Sequence, residues 1–305
     1  AASPSSTDNT SVQTISVRSP ISEEQIRQAV ARLEDARAPL FRRIGAMRDL
    51  AATTDPAAVA GLQALARDRS APEALRCEAI LALTGTHHDH VSGLRSLLED
   101  PVEDVAVETA RALRPWIAAD GVRTALESVA ASGRPRLMAM AGWVLGRPAQ
   151  RPSSFDEWRQ FVEAEPGDAA RGFRVFRSAE AGCLRCHQVF GRGGALGPDL
   201  SAIRRGSDRP KLLRSLLEPS RDIAPQFADH QVETTAGDLY SGRLVSTEPD
   251  GSITVMNGDG QLTRIPGPQV KSNVPGTVSL MPEGLVDALT PGDVRDLMAY
   301  LETLR

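Results

Sequence analysis

Cysteine is scarce in this chain, three in 305 residues, too few for a disulfide framework to carry the fold. Histidine is nearly as rare, with five. No run of some 18 apolar residues occurs, so no segment reads as a transmembrane helix. Basic blocks are missing too. The net charge is −4, the pI is about 5.8, and Arg204-Arg205 is no more than a dipeptide, which excludes nucleic acid as the expected partner. No secretory leader is visible. The first twenty residues, opening AASPSSTDNTSVQT, are small, polar and aperiodic, and 1–20 reads as a disordered tail left after processing or marking a cut. A length of 305 suggests about two domains.

What is present begins with repetition. GAMRDL (45–50), EAILAL (78–83), ETARAL (108–113) and MAGWVL (140–145) start 33, 30 and 32 residues apart. A second series interleaves with them: GLQALARD (61–68), GLRSLLED (93–100) and GVRTAL (121–126). Two alternating helices per period of about 30 residues is the pattern of an α-solenoid, so 21–150 is expected to form helix pairs resembling HEAT repeats. Such a unit offers a surface and no chemistry. Cys77, inside one apolar helix, reads as a small buried hydrophobe. His87, His88, Asp89 and His90 cluster at a turn and include good ligand types for zinc or copper; neighbours on a short turn rarely converge on one ion, so a solvated loop is expected.

The other two cysteines stand together in AGCLRCHQVF (181–190), as Cys183, Cys186 and then His187. A structural zinc site needs four ligands, and after His187 the chain offers only His230. A thioredoxin-type dithiol belongs in a βαβ setting, whereas here a helix precedes and a Gly-rich loop follows. Cys-x-x-Cys-His reads as covalent attachment of haem c. Both sulfurs and the imidazole must reach one macrocycle from about one helical turn, which is what the spacing provides. Around it, GDAARGFRVF (167–176) reads as an amphipathic helix with Gly172 and Phe176 on one face. Near the end, Thr290 caps a helix with Pro291 at its first position, and Leu297, Tyr300, Leu301 and Leu304 form its apolar face.

Within an expected haem domain of 151–305, residues from about 167 to 305 resemble class I cytochromes c, in which the first and last helices cross beside the haem. More closely, LLEPSRDIAP (216–225), SLMPEGL (279–285) and LMAYL (297–301) make the segment similar to the haem-binding domain family abundant in planctomycetes and verrucomicrobia. Gly172, Phe176 and Tyr300 match the helix-crossing places of class I cytochromes c. In GPDL (197–200) the resemblance makes Gly197 and Pro198 part of the haem site, with the Pro198 carbonyl orienting His187. It also names Met281 as the sixth iron ligand, and Pro282 beside it suits a rigid ligand loop; His230 and Met256 are the next candidates. Family members often place this domain after helical repeats that follow a β-propeller dehydrogenase. The propeller is not in this chain, so a propeller-type dehydrogenase would be a separate redox partner. Haem attachment outside the cytoplasmic membrane implies a periplasmic or otherwise exported protein.

The β content is expected to be small. Short alternating runs between tight-turn residues over 228–275 read as an antiparallel meander inserted into the haem domain. The expected fold class is therefore mainly α: a HEAT-like α-solenoid, then a class I cytochrome c-like helical haem domain with a small antiparallel β insertion. The expected function is electron carriage by one haem c with His187 and Met281 as axial ligands, without bond chemistry. Two alternatives stay open: a haem enzyme or gas sensor with an open or displaceable sixth position, and a repeat-based interaction protein in which haem is structural.

Overall fold

The computed structural model describes residues 12–15, 21–35, 37–51, 53–84, 91–147 and 150–305. The chain divides into two compact units, one of residues 20–153 with 290–293, the other of 154–289 and 294–305 with the N-terminal segment. The cluster His87, His88, Asp89 and His90 lies outside the described residues.

The first unit is helical. Its helices are α1 (Glu23–Glu34), α2 (Leu40–Leu50), α3 (Pro56–Arg67), α4 (Glu73–Leu83), α5 (Val91–Arg95, continued by a 3-10 turn Ser96–Glu99), α6 (Glu103–Ala112), α7 (Val122–Val129) and α8 (Pro135–Val144). They pack as four consecutive pairs, and the second helices also pack in series, α2 on α4, α4 on α6 and α6 on α8. The small Ala positions of the repeat explain the close stacking: Ala46, Ala79, Ala110 and Ala141 are all buried in one core with Leu50, Leu83, Leu113 and Leu145. Cys77 is buried in that core.

The repeat also carries a polar device. Asp35, Asp68 and Asp100, each ending the first helix of a pair, accept the amide of the residue two places on: Arg37, Ser70 and Val102, at 2.9, 2.9 and 3.0 Å. Arg43 Nε donates to the Leu33 carbonyl and Arg76 Nε to the Ala66 carbonyl, both at 3.0 Å. Arg76 then reaches the next pair with a forked contact to Asp100, at 3.2 and 2.5 Å. Both side chains are buried, 2 % and 1 % exposed.

The second unit mixes helix and sheet. Helices α9 (Phe155–Ala164), α10 (Ala169–Arg177), α12 (Arg209–Leu217) and α13 (Pro291–Leu301), with the single turn α11 (Cys183–Cys186), supply the helical part. Their core gathers Trp158, Val162, Val175, Phe176, Leu213, Leu297, Met298 and Leu301. Thr290 Oγ1 accepts the Asp293 amide at 3.1 Å, the cap the sequence predicts for α13. Gly172 sits where α10 meets α13: a Cβ there would land on the Asp296 carbonyl and come within 2.9 Å of Tyr300 Cβ. Tyr300 in turn touches Phe176 and Phe173, with ring centroids 5.3 and 5.2 Å apart. Gly172→Ala is expected to destabilise this unit by about 1–3 kcal/mol, the cost of overpacking, as a lowered unfolding midpoint; an unchanged midpoint would mean the helices part freely.

The expectation of a mainly α chain is corrected here: the class is a mixture of α and β. One sheet has six strands in the order β1-β7-β6-β5-β4-β8 and a second has two, β2 (Gln188–Val189) and β3 (Arg192–Gly193). The large sheet consists of β1 (Gln13–Ile15), β4 (Ala228–Thr234), β5 (Leu239–Thr247), β6 (Ile253–Met256), β7 (Leu262–Ile265) and β8 (Val270–Ser279), every pair antiparallel. It has its own core of Val232, Ile253, Val255 and Ile265. Two strands extend the sheet beyond the expected 228–275. β8 runs on to Ser279 through Pro275 and Gly276, tolerated because β8 is an edge, and it pairs with β4. β1 comes from the segment read as a disordered tail and pairs with β7 through Gln13, Thr14 and Ile15. Among the described residues no helix is long and apolar enough to cross a membrane.

Candidate haem-attachment site

A left-handed Gly182 (φ +60°) turns the chain out of α10 and starts α11. That one turn carries both Cys183 and Cys186, and His187 caps it, its amide donating to the Cys183 carbonyl at 2.9 Å. The loop 193–200 is zipped onto this turn by three backbone bonds: Gly194 to the Leu184 carbonyl, Gly197 to that of Cys186 and Leu200 to that of Gln188, at 2.9, 2.8 and 2.8 Å. Glycine is required for so close an approach. A Cβ on Gly194 would fall on the Arg185 carbonyl, and one on Gly197 would lie 2.6 Å from Cε1 of the His187 ring. Between turn and loop, β2 and β3 form a two-stranded hairpin whose tip, Phe190-Gly191, has positive φ at both residues, 49° and 74°. Phe190 is 72 % exposed.

The ring of His187 is fixed by its partner. Its Nδ1 lies 2.9 Å from the Pro198 carbonyl oxygen, and a carbonyl only accepts, so Nδ1 carries the proton and Nε2 is left as the nitrogen able to bind a metal. Burial pushes the imidazole pKa down, with the Pro198 bond acting the other way; the ring is neutral at neutral pH, the form that coordinates. Burial also pushes the Cys183 thiol up to about 12, and raises that of Cys186. Dithiol oxidoreductases need the opposite, a thiol lowered toward thiolate.

Met281 lies two residues beyond β8, outside any helix or strand. Met281 and Cys183 are both partly buried against the same helical core, as are Leu184, Leu200 and Ile203. Two hydrogen bonds fix the approach to Met281: its amide donates to Ser279 Oγ at 3.1 Å, and the Ser279 amide donates to Ser220 Oγ at 3.2 Å. The two motifs 216–225 and 279–285 thus meet at Ser220. The other sulfur and nitrogen candidates are engaged elsewhere. His230 pairs its Nδ1 with Asn273 Oδ1 at 2.7 Å, Met256 is buried in β6, and Met47, Met140 and Met298 are core residues.

These residues fit a covalently held haem: two thiols on one turn, a neutral imidazole with a single uncommitted nitrogen, and a thioether among apolar side chains. Among the described residues no three His, Cys, Asp or Glu side chains gather in a group able to hold a metal ion; a haem iron draws its equatorial ligands from the porphyrin and asks the protein for axial ones only. A shallow depression of about 240 Å3 lies elsewhere, on β4 and β8, lined by Asp229, Gln231 and residues 274–278. Its one ionisable group, Asp229, is held by Ser241, so it offers no constellation of reactive groups. Sequence reasoning names Cys183, Cys186, His187, Gly197, Pro198 and Met281 as candidates and holds Ser220 and Ser279 only as members of longer motifs; the bonds that link those two serines to the Met281 amide join distant segments and leave no local signal. No protein-family model and no curated protein matches this chain, so its chemistry is read from these residues.

Proposed function

We propose that the chain is a monohaem c-type cytochrome that carries single electrons. The observation that carries this reading is the bond from His187 Nδ1 to the Pro198 carbonyl, made from the cap of the turn that holds both cysteines. When bound, haem c supplies a one-electron couple. The chain's own part is to retain and orient it. Cys183 and Cys186 would hold it by thioether bonds, and His187 would present Nε2 with its ring set by Pro198 and Gly197. Met281, brought in on a loop stiffened by Pro282, would supply the opposite axial ligand and bias the potential upward. The motif resemblance to class I cytochromes c, export to the periplasm and a dehydrogenase as electron donor belong to the same proposal.

The test is covalency. Protein matured with haem is expected to keep it through denaturing electrophoresis, and Cys183→Ser with Cys186→Ser to lose it completely. Retention of haem by the doubly substituted protein under denaturing conditions would overturn the assignment.

A further inference from the structure

The strands expected over 228–275 as an insertion carry no role assigned from the sequence. Their contacts give them one. Arg243 of β5 donates through Nη1 to the Ala195 carbonyl, in the loop whose Gly197 and Pro198 set the His187 ring. Its guanidinium also lies over the Phe227 ring, 4.9 Å from the centroid. On the other side of β4, strand β8 ends at Ser279, whose amide donates to Ser220 Oγ and whose own Oγ accepts the Met281 amide. The register joins these two points. Arg243 pairs with Asp229, and the next residue of β4, Ala228, pairs with Ser279. The anchor of the His187 loop and the start of the Met281 loop are thus paired with successive residues of β4, at the irregularity that interrupts the β4–β8 register between Ala228 and His230.

We propose that this junction of β5, β4 and β8 is a brace that sets the two axial-ligand loops relative to one another, with Arg243 and Ser220 as positioning residues. The proposal rests on the haem reading. A thioether is a weak ligand, and its hold depends on how firmly its loop is kept in place. A sheet with its own hydrophobic core is stiff enough to add to the hold that each loop already has. Losing the Arg243 bond removes the sheet's grip on the Ala195 carbonyl and leaves that loop held by its backbone bonds to Leu184, Cys186 and Gln188. Losing Ser220 frees the Met281 side.

The experiment uses haem-loaded protein and measures binding of imidazole to the ferric form, together with the thioether-to-iron charge-transfer absorption. Arg243→Ala and Ser220→Ala are each expected to retain covalent haem, weaken that absorption and bind imidazole about 10–100-fold more tightly, the usual size of an outer-shell effect. Arg243→Lys keeps a donor for the Ala195 carbonyl and is expected to recover most of the wild-type behaviour. Arg264→Ala, on β7 at the far side of the sheet where Arg264 faces Asp250, is expected to change nothing. Imidazole binding unchanged in both alanine variants would overturn the brace while leaving the haem reading intact, and so would an Arg264→Ala effect as large as that of Arg243→Ala, because general loosening of the sheet would then be the cause. Wild-type protein without covalent haem would overturn the underlying assignment itself, and the brace with it.

Discussion

Met281→Ala is expected to leave haem attached and open the iron. Cys183, Cys186 and His187 lie on a separate turn and are untouched by the change. The ferric charge-transfer absorption should disappear, carbon monoxide should bind the reduced form, and the potential should fall by on the order of 0.1 V or more, within the ~0.8 V that axial ligands command. The reason is the loss of a thioether that favours ferrous iron. The structure makes this residue a better candidate than its rivals: it stands partly buried against the core that also receives Cys183, while His230 is committed to Asn273 and Met256 is enclosed in a strand. Absorption and potential unchanged in Met281→Ala would move the sixth ligand elsewhere.

The largest effect on stability is expected in the helical unit. Arg76 and Asp100 form a buried pair that joins two successive helix pairs. Asp100→Ala leaves the guanidinium of Arg76 buried without its counter-charge and should cost about 3–5 kcal/mol. Replacing both partners with apolar residues of similar volume should cost far less, because the penalty lies in stranding one charge rather than in losing the pair. The pair also carries a pH dependence. Burial pushes the Asp100 carboxyl up, but the bonds from Arg76 and the Val102 amide outweigh it and hold the pKa below the ordinary value. A carboxyl depressed in the folded state contributes stability that is complete above the unfolded pKa of about 3.9 and is lost as pH falls through the lower folded value. Denaturant titrations at neutral pH and at acid pH check both points: the difference between wild type and Asp100→Ala should shrink in acid. A constant difference across pH would show that the carboxylate charge contributes nothing.

Local signals in the sequence were good guides where the physics is local. Cys183, Cys186 and His187 share one turn because their spacing permits nothing else of use, and the Gly-rich run 193–197 lies against that turn because only glycine lets two backbones come so close. The Ala and Leu periodicity of 45–145 marks the buried faces of the helix pairs, and Thr290 caps its helix as its position before Pro291 suggests. Long-range pairing left no such trace. The expected meander stops at 275, and the edge position of β8 lets the strand run on through Gly276 to Ser279. Gln13–Ile15 is too short and too polar to be recognised as a strand before β7 is there to receive it. The mainly α expectation fails because the strands foreseen over 228–275 belong to a six-stranded sheet with its own core, not to a minor insertion. Arg76 and Arg243 carry no motif, and the motif that holds Ser220 does not show its partner; each matters through a residue 24 to 59 places away.

The most direct test of His187 and Met281 as the two axial ligands of a covalently held haem is the absorption spectrum of the haem-matured protein. It would be recorded in the ferric and dithionite-reduced states, with and without carbon monoxide. The expected result is a low-spin c-type spectrum with the ferric thioether charge-transfer absorption, indifferent to carbon monoxide. A high-spin spectrum, or one that shifts with carbon monoxide, would contradict Met281 ligation and favour an open iron. No haem spectrum from protein matured in a cell that attaches haem c would contradict the attachment at Cys183 and Cys186 altogether.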